Sequence, residues 1–568
     1  MKQLNFIAVM GFLCLISNAG NSHENGPIKS TVSPDRQVDQ LFTAWNNPET
    51  PGAAVAVVKD GKIIYKKGFG SANLEYNIPV SPATVFHVAS VSKQFTAFSI
   101  LLLAREGRLS LDDDIRKYLP EVPDFGKVIT LRQLVHHTSG LRDQWNLLAM
   151  AGWRLDDVIT KDQIMRIVHN QKELNFVPGN EFMYCNTGFT LLAEVVARVS
   201  GQSFADYTRD HIFKPLKMLN TLFYDDHEKI VKNRAYSFYP DGNGFKKSVL
   251  SYANAGATSL FTTAEDLSLW AMNFENPVVG GKDIVALMEE RGVLNNGDTI
   301  SYALGQDIGR YRGLKFISHG GADAGYRAFL GRFPDQKLSV VVLSNNGLFN
   351  PAGLALKIAD IYLKDKLAKD NPKEVSEPPK PENKTVPADI TLLKSYCGKY
   401  ELQPGMLVTI DLNDNQLVAG APGISRISLI QVSANEFAAK GMDARLTFPK
   451  DNDGQITKMI VVLNGQESTA RKIKESDIKD LDLSEFEGVF YSPELCTSYS
   501  FVLENGKLIA RHFRLGDLAM TPVKADSFTA DQWFFNRIEF IRDDQNQIKG
   551  CRVSSDRVRN LWFDKIKQ

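Results

Sequence analysis

Along the chain the apolar positions change period three times. Ala53 to Val58 and Lys62 to Lys67 are short apolar-rich runs on either side of Asp60-Gly61, a pattern that predicts a β-hairpin. An extended segment, Phe86-His87-Val88-Ala89, then turns at Ser90 into a strongly apolar helix that ends near Glu106-Gly107, with the glycine as C-cap. From Leu131 to about Met288 the pattern is mostly helical with loop interruptions. Leu314–Ser318, Tyr326–Phe333 and Lys337–Leu343 read as strands, with a turn at Asp335-Gln336, and Pro351 to Leu367 as a closing helix. Strands at both ends with helices between predict one α/β domain over residues 28–367, its sheet completed late in the chain.

A linker follows at 368–390, where Pro372, Pro378, Pro379, Pro381 and Pro387 stand among charged residues and favour an extended spacer. Beyond it helical periodicity gives way to short alternating strands. Tyr396-Cys397-Gly398-Lys399-Tyr400 matches Phe486-Glu487-Gly488-Val489-Phe490, and Val432 to Phe437 matches Val523 to Phe528. The steady offset of about 90 residues marks an internal repeat. It predicts two small all-β modules, 391–475 and 480–568, each a barrel or sandwich. One larger barrel built from both halves is the alternative.

Composition narrows the class without naming it. The chain has 568 residues, and Lys+Arg and Asp+Glu both number 66, so the formal charge of zero argues against a general nucleic-acid binder. The nine histidines are scattered, with no Cys-x-x-Cys and no His-Glu-x-x-His, so no metal site and no cofactor is indicated. Residues 1–22 read as a cleavable leader: Lys2, an apolar run from Phe6 to Ile16, and Ser17-Asn18-Ala19 before the cut after Ala19. That run is too short for a comfortable membrane span. A periplasmic or secreted protein is expected, possessing no stable membrane span. Of Cys185, Cys397, Cys496 and Cys551, the pair Cys496–Cys551 is the first candidate for a disulfide.

Candidate chemistry starts at Ser90 and Lys93, three apart and so on one helix face. A serine hydroxyl needs a base, and a lysine desolvated near a helix N-terminus is pushed down from roughly 10.4 toward that role. A free backbone N–H at the same turn suits a developing oxyanion. A second Ser-x-x-Lys, Ser476–Lys479, lies in a charge-rich connector and is accidental. Tyr184-Cys185-Asn186 follows a Pro-Gly break, with a helix from Leu191 to Val199 after it. Its phenol can relay a proton and its amide can bind a carbonyl. Tyr252-Ala253-Asn254 is a weaker copy of the pattern. Ser318-His319-Gly320-Gly321-Ala322 falls where a strand meets a Gly-rich bend.

Together these motifs resemble the serine β-lactamase and penicillin-binding-protein superfamily, whose set is Ser-x-x-Lys, Tyr-x-Asn and Lys-Thr-Gly or His-x-Gly. The stretches Ile129 to Leu141 and Gly256 to Leu267 also resemble it. The resemblance implies an antiparallel sheet flanked by helices plus a helical subdomain. It implies Ser90 as the acylated nucleophile, Lys93 as its proton acceptor and Tyr184 as general base and acid. Asn186, His319 and Gly321 would bind substrate, and the N–H groups of Ser90 and Ala322 would form the oxyanion hole. His136, His137, Ser139 and Arg142 would pack the loop beneath.

A histidine in place of the third-motif lysine is only partly charged near neutral pH, which weakens a β-lactamase role and fits D-aminopeptidases and esterases. The resemblance implies an exported serine hydrolase acting on D-amino-acid peptides or peptidoglycan fragments. The alternatives are a carboxylesterase or weak β-lactamase, and a sensor that acylates without turnover. Partners would be a small-molecule or peptide substrate, cell-wall fragments and a second copy of the chain.

Overall fold

The structure, a computed structural model, describes residues 32–368, 390–403, 406–421, 424–439, 444–463, 466–474 and 481–566. The expected leader, residues 369–389 of the expected linker and the pair Ser476–Lys479 lie outside them. The chain forms two compact units. The described residues of one come from Gly20–Trp145 and Arg154–Asn371, and those of the other from Asn146–Trp153 and Pro372–Gln568.

The first unit is built on α1 (Pro34–Leu41), β1 (Ala53–Lys59), β2 (Lys62–Phe69), α2 (Ser92–Arg105), α3 (Asn186–Ser200), α4 (Ala264–Asn273), β3 (Asp307–Tyr311), β4 (Leu314–Asp323), β5 (Tyr326–Phe333), β6 (Leu338–Ser344) and α5 (Pro351–Leu363). Its six-stranded sheet runs β3-β4-β5-β6-β1-β2, antiparallel throughout. Asp60 and Gly61 both take positive φ, the type I′ geometry whose twist suits the β1–β2 hairpin.

The late strands enter beside the first, so β1 and β6 are central and buried along almost their whole length. Covered on both faces, they read as near-continuous apolar runs instead of alternating ones. Val38 of α1, Phe42 at its C-terminal cap, and Leu354 and Ile358 of α5 pack against Val55, Val57, Val340 and Val342. Helix α4 lies on β1 and β6 from the other side. Helix α2 is buried from Ser92 to Leu103 and packs against α3, which makes it the central helix of the unit.

Two expectations change. The stretch 131–288 is less helical than its pattern suggests: it contains the hairpin Ser237–Asp241/Gly244–Ser248 and the short strand Leu260–Thr262. And β4 does not stop at Ser318. It continues through the His-x-Gly motif to Asp323, paired with β5 all the way, so the glycines do not bend the chain.

The repeat folds as two separate closed barrels of eight strands, which excludes one barrel made from both halves. The first runs from Gly398–Gln403 to Gln466–Lys472 and the second from Gly488–Ser492 to Leu561–Ile566. Each closes its first strand on its own last strand, through Tyr400↔Lys472 and Phe490↔Lys565. The repeated glycines explain themselves here. Gly398 and Gly488 take φ +142° and +139°, and a Cβ on either would lie 2.8 or 2.9 Å from Cε of Lys472 or Lys565. Each lysine then reaches a carbonyl before its own barrel's first strand, Ser395 at 2.8 Å and Glu485 at 3.2 Å.

The second barrel's unit also takes in Asn146–Trp153. Asn146 Nδ2 donates to Ser555 Oγ (2.9 Å) and Asp556 Oδ1 (2.8 Å), and the Tyr499 hydroxyl donates to the Met150 carbonyl (2.8 Å).

The cysteine pairing expected from the sequence is not formed: none of the four described cysteines is in a disulfide. Cys496 is exposed in a turn, whereas Cys551 is buried on a strand opposite Phe540 and Phe563. No helix among the described residues is long and apolar enough to cross a membrane. No group of three or more His, Cys, Asp or Glu among them is placed to hold a metal ion.

Candidate active site

Ser90 lies in a single 3-10 turn, Ala89–Val91, directly before α2. Ala89 has φ +47°, a left-handed conformation costly for a residue with a Cβ, and such strain is held only where the surroundings over-determine it. Two contacts of Ser92 do so: its hydroxyl donates to the Ala89 carbonyl and accepts from the Leu260 N–H at 3.1 Å.

Three residues after Ser90, at the second position of α2, Lys93 is fully buried. Its Nζ lies 3.0 Å from Ser90 Oγ, 2.8 Å from Asn186 Oδ1 and 2.7 Å from the Ala257 carbonyl. Three acceptors match the three N–H bonds of an ammonium. To accept the Ser90 proton, the amine keeps the bonds to Asn186 and Ala257 and turns its lone pair to Oγ.

Asn186 is the first residue of α3, and its orientation is fixed from behind. Its backbone N–H and its Nδ2 both donate to Asp143 Oδ2, at 2.6 and 2.8 Å. Asp143 is fully buried, and it is a site residue that the motifs did not reveal. Its only signal was proximity to the Ser139-Gly140-Leu141 stretch.

Tyr184 enters two residues earlier, its ring centroid 4.8 Å from Lys93 Nζ and 4.2 Å from the ring of His137. His137 Nδ1 accepts the Cys185 N–H at 3.0 Å, so this histidine props the Tyr-x-Asn loop. The weaker copy, Tyr252, is elsewhere: it is buried and stacked on Trp145 at 4.6 Å.

The third motif arrives on β4. Strand β3 pairs with it only as far as Ser318, while β5 continues to Asp323. From His319 onward one edge of β4 is therefore free of a neighbouring strand among the described residues. Gly321 is required by this approach, because a Cβ there would lie 2.1 Å from the Val88 carbonyl. The next residue, Ala322, thus comes alongside the Ser90 turn.

His319 is 5% exposed, and both ring nitrogens are engaged: Nδ1 lies 2.6 Å from the Gly320 carbonyl and Nε2 3.0 Å from the Tyr302 hydroxyl. A carbonyl only accepts, so Nδ1 carries the proton and Nε2 accepts from Tyr302. Burial, reinforced by the charge of Lys93, pushes the imidazole down to about 3. The partial charge expected from the sequence is absent at neutral pH. Burial holds the Tyr302 phenol well above its ordinary value, so it stays a donor. No sequence motif marks Tyr302.

Ser90, Lys93, Tyr184, Asn186, His319, Gly321 and Ala322, spread over more than two hundred residues, thus surround one cleft. A nucleophile, a base within hydrogen-bond reach and backbone donors at a helix start are the parts of an acyl-transfer site.

Known proteins are similar to this chain in sequence and fold. The family profile described as Beta-lactamase matches residues 38–361. Penicillin-binding protein 4* of Bacillus subtilis is 26% identical over 77% of this chain and 99% of its own length. A D-aminopeptidase of Brucella anthropi is 23% identical over 92% of this chain and 96% of its own. Among solved structures, an octameric penicillin-binding protein homologue from Pyrococcus abyssi aligns with a TM-score of 0.54 at 23% identity, covering 77% of this chain and 99% of that one.

Proposed function

The chain belongs to the beta-lactamase family and is a serine hydrolase, and we propose that it is exported and cleaves D-amino-acid-containing peptides or peptidoglycan fragments through an acyl-enzyme on Ser90. Ser90 Oγ attacks the scissile carbonyl and its proton passes to Lys93 Nζ. The N–H groups of Ser90 and Ala322 take the charge that develops on oxygen. Asn186, with Oδ1 on Lys93 and one N–H on Asp143, offers its second N–H to the substrate's amide carbonyl. Tyr184 gives its phenolic proton to the leaving amine and is reprotonated by Lys93, which returns the proton taken from Ser90. Water then repeats the sequence on the ester and frees Ser90.

The observation that carries the substrate reading is the uncharged His319. A cation at that position would favour a carboxylate on the leaving side, as β-lactams and C-terminal D-residues present. Without one, the site favours an amide whose leaving group bears no charge. The D-aminopeptidase relative, which aligns across the barrels as well, supports the same reading. Export is supported by the leader-like composition of residues 1–22.

The test is a rate panel on purified protein: a D-alanyl anilide, a D-Ala-D-Ala peptide, a short-chain ester and a chromogenic cephalosporin, each repeated with Ser90→Ala. The anilide is expected to be turned over best and to lose roughly a thousandfold or more in Ser90→Ala. Cephalosporin turnover above that of the anilide would overturn the substrate reading. Activity surviving Ser90→Ala would overturn the mechanism.

A further inference from the structure

Strand β4 does not end with the oxyanion donor. One residue beyond Ala322 stands Asp323, the last residue of the strand. Side chains alternate along a strand, so Asp323 falls on the same face as His319 and Gly321, the face turned to Val88 and the Ser90 turn. Its carboxylate accepts the Thr258 hydroxyl and lies 3.3 Å from His87 Nε2, which in turn is 3.0 Å from Thr258 Oγ1. Thr258 directly follows Ala257, the carbonyl acceptor of Lys93. The acid is therefore wired to the floor of the cleft, and its side chain keeps 16% of its surface.

This carboxylate has no cation of its own. His87 is fully buried and held down to about 3, by burial first and then by the charge of Arg234, so the imidazole facing Asp323 is neutral. The nearest arginine along the strand pair, Arg327, directs its guanidinium to the carbonyls of Ala324 and Tyr326 and the hydroxyl of Tyr239. Burial raises the Asp323 carboxyl to about 6, against the Thr258 hydroxyl and the charges of Lys93 and Arg327. A partly exposed acid whose ion-pair contact among the described residues is a neutral imidazole attracts a cation from outside.

Position decides which part of a substrate that cation belongs to. The scissile carbonyl sits on the N–H of Ala322. The leaving group must face the proton donor Tyr184, whose ring lies 6.3 Å from that of His319. Asp323 is on the opposite side of Ala322 from His319, so it borders the acyl side. Resting on the acyl-enzyme reading above, we propose that Asp323 forms a subsite for a protonated amine on the acyl residue, so that the enzyme takes substrates with a free N-terminal ammonium and rejects N-acylated ones.

The experiment compares D-alanine benzyl ester with N-acetyl-D-alanine benzyl ester on the full protein, each rate divided by its spontaneous hydrolysis. Esters are more readily cleaved than amides and acylate Ser90 whatever leaving group the enzyme naturally expels, so failure of the D-peptide reading leaves this test intact. The free amine is expected to be preferred by about thirtyfold or more in kcat/KM, the scale of a lost partner for a buried charge. Asp323→Asn is expected to remove that preference while leaving the N-acetyl ester within about threefold, and acylation of Ser90 by a labelled penicillin checks that the variant is folded. Equal rates on the two esters in the unaltered protein would overturn the proposal without any variant. So would a parallel fall on both esters in Asp323→Asn, which would mark a structural role.

Discussion

The Tyr302 hydroxyl lies 3.0 Å from Nε2 of His319, in a pair that is buried on both sides. It fixes the tautomer, because with Nδ1 donating to Gly320 the ring can only accept at Nε2. Tyr302→Phe leaves that nitrogen buried and unpartnered at a cost of about 1–3 kcal/mol. The expected result is a kcat loss of roughly tenfold or more with a smaller change in KM, read by steady-state kinetics on the D-alanyl anilide. An unaltered kcat would show that the tautomer is immaterial.

Acid should destabilise the first unit through its buried histidines. His87 and His319 are both held down to about 3 from an ordinary 6.5, so the unfolded chain binds protons there that the folded one refuses. Their stabilisation is complete above about pH 6.5 and is lost as the pH falls toward 3, at about 1.4 kcal/mol per pH unit for each. Asp323 works the other way between about 6 and its ordinary 3.8, where the folded state holds the extra proton, and offsets one of the two. Thermal melts are therefore expected to decline gently from pH 6.5 to 4 and steeply below. His319→Gln should flatten the decline, and an unchanged slope would argue against a neutral His319.

Asp143 holds Asn186 by two hydrogen bonds to one oxygen. Removing both, in Asp143→Ala, frees the amide to rotate away from Lys93 and costs about 2–4 kcal/mol of transition-state stabilisation. Labelled-penicillin acylation should slow roughly a hundredfold. Asp143→Asn keeps one acceptor oxygen and should lose less. Equal losses in the two variants would point to a purely structural defect.

The four described thiols predict their own order of reaction. Cys496 is exposed, Cys397 half-buried, and Cys185 and Cys551 buried. Burial also raises the Cys185 thiol to about 12 and the Cys551 thiol further, so neither offers a thiolate. A thiol reagent should label Cys496 first in the native protein and the buried pair only after unfolding. A tryptic peptide joining Cys496 to Cys551 would contradict the structure.

Local patterns made much of the site legible. The Ser90–Lys93 spacing, the Asp60-Gly61 turn and the repeat around Gly398 and Gly488 are short-range signals, and each folds as its spacing implies. Tyr302 and Asp143 were not legible, because each acts through a contact with a motif outside its own local stretch, 17 and 43 residues on. Asp323 was hidden differently: with β4 taken to end at Ser318, nothing told that its side chain would share a face with His319. The cysteine pairing failed for a related reason, since a cysteine count and an oxidising compartment do not say where on the fold a thiol lies. Cys551 faces aromatic neighbours, and Cys496 lies in a turn.

The two barrel seams carry a hazard as well as a closure. Both bring the same glycine–lysine pair together about 90 residues apart, so the first strand of one copy presents nearly the register that the last strand of the other expects. Tandem copies so alike can cross-close during synthesis. One difference at the seam is a hydroxyl: Tyr400 donates to the Tyr396 carbonyl at 2.7 Å, and the matching Phe490 has nothing to donate. A Tyr400→Phe protein would lose that bond and make the two seams more alike, and its refolding yield is expected to fall before its stability does.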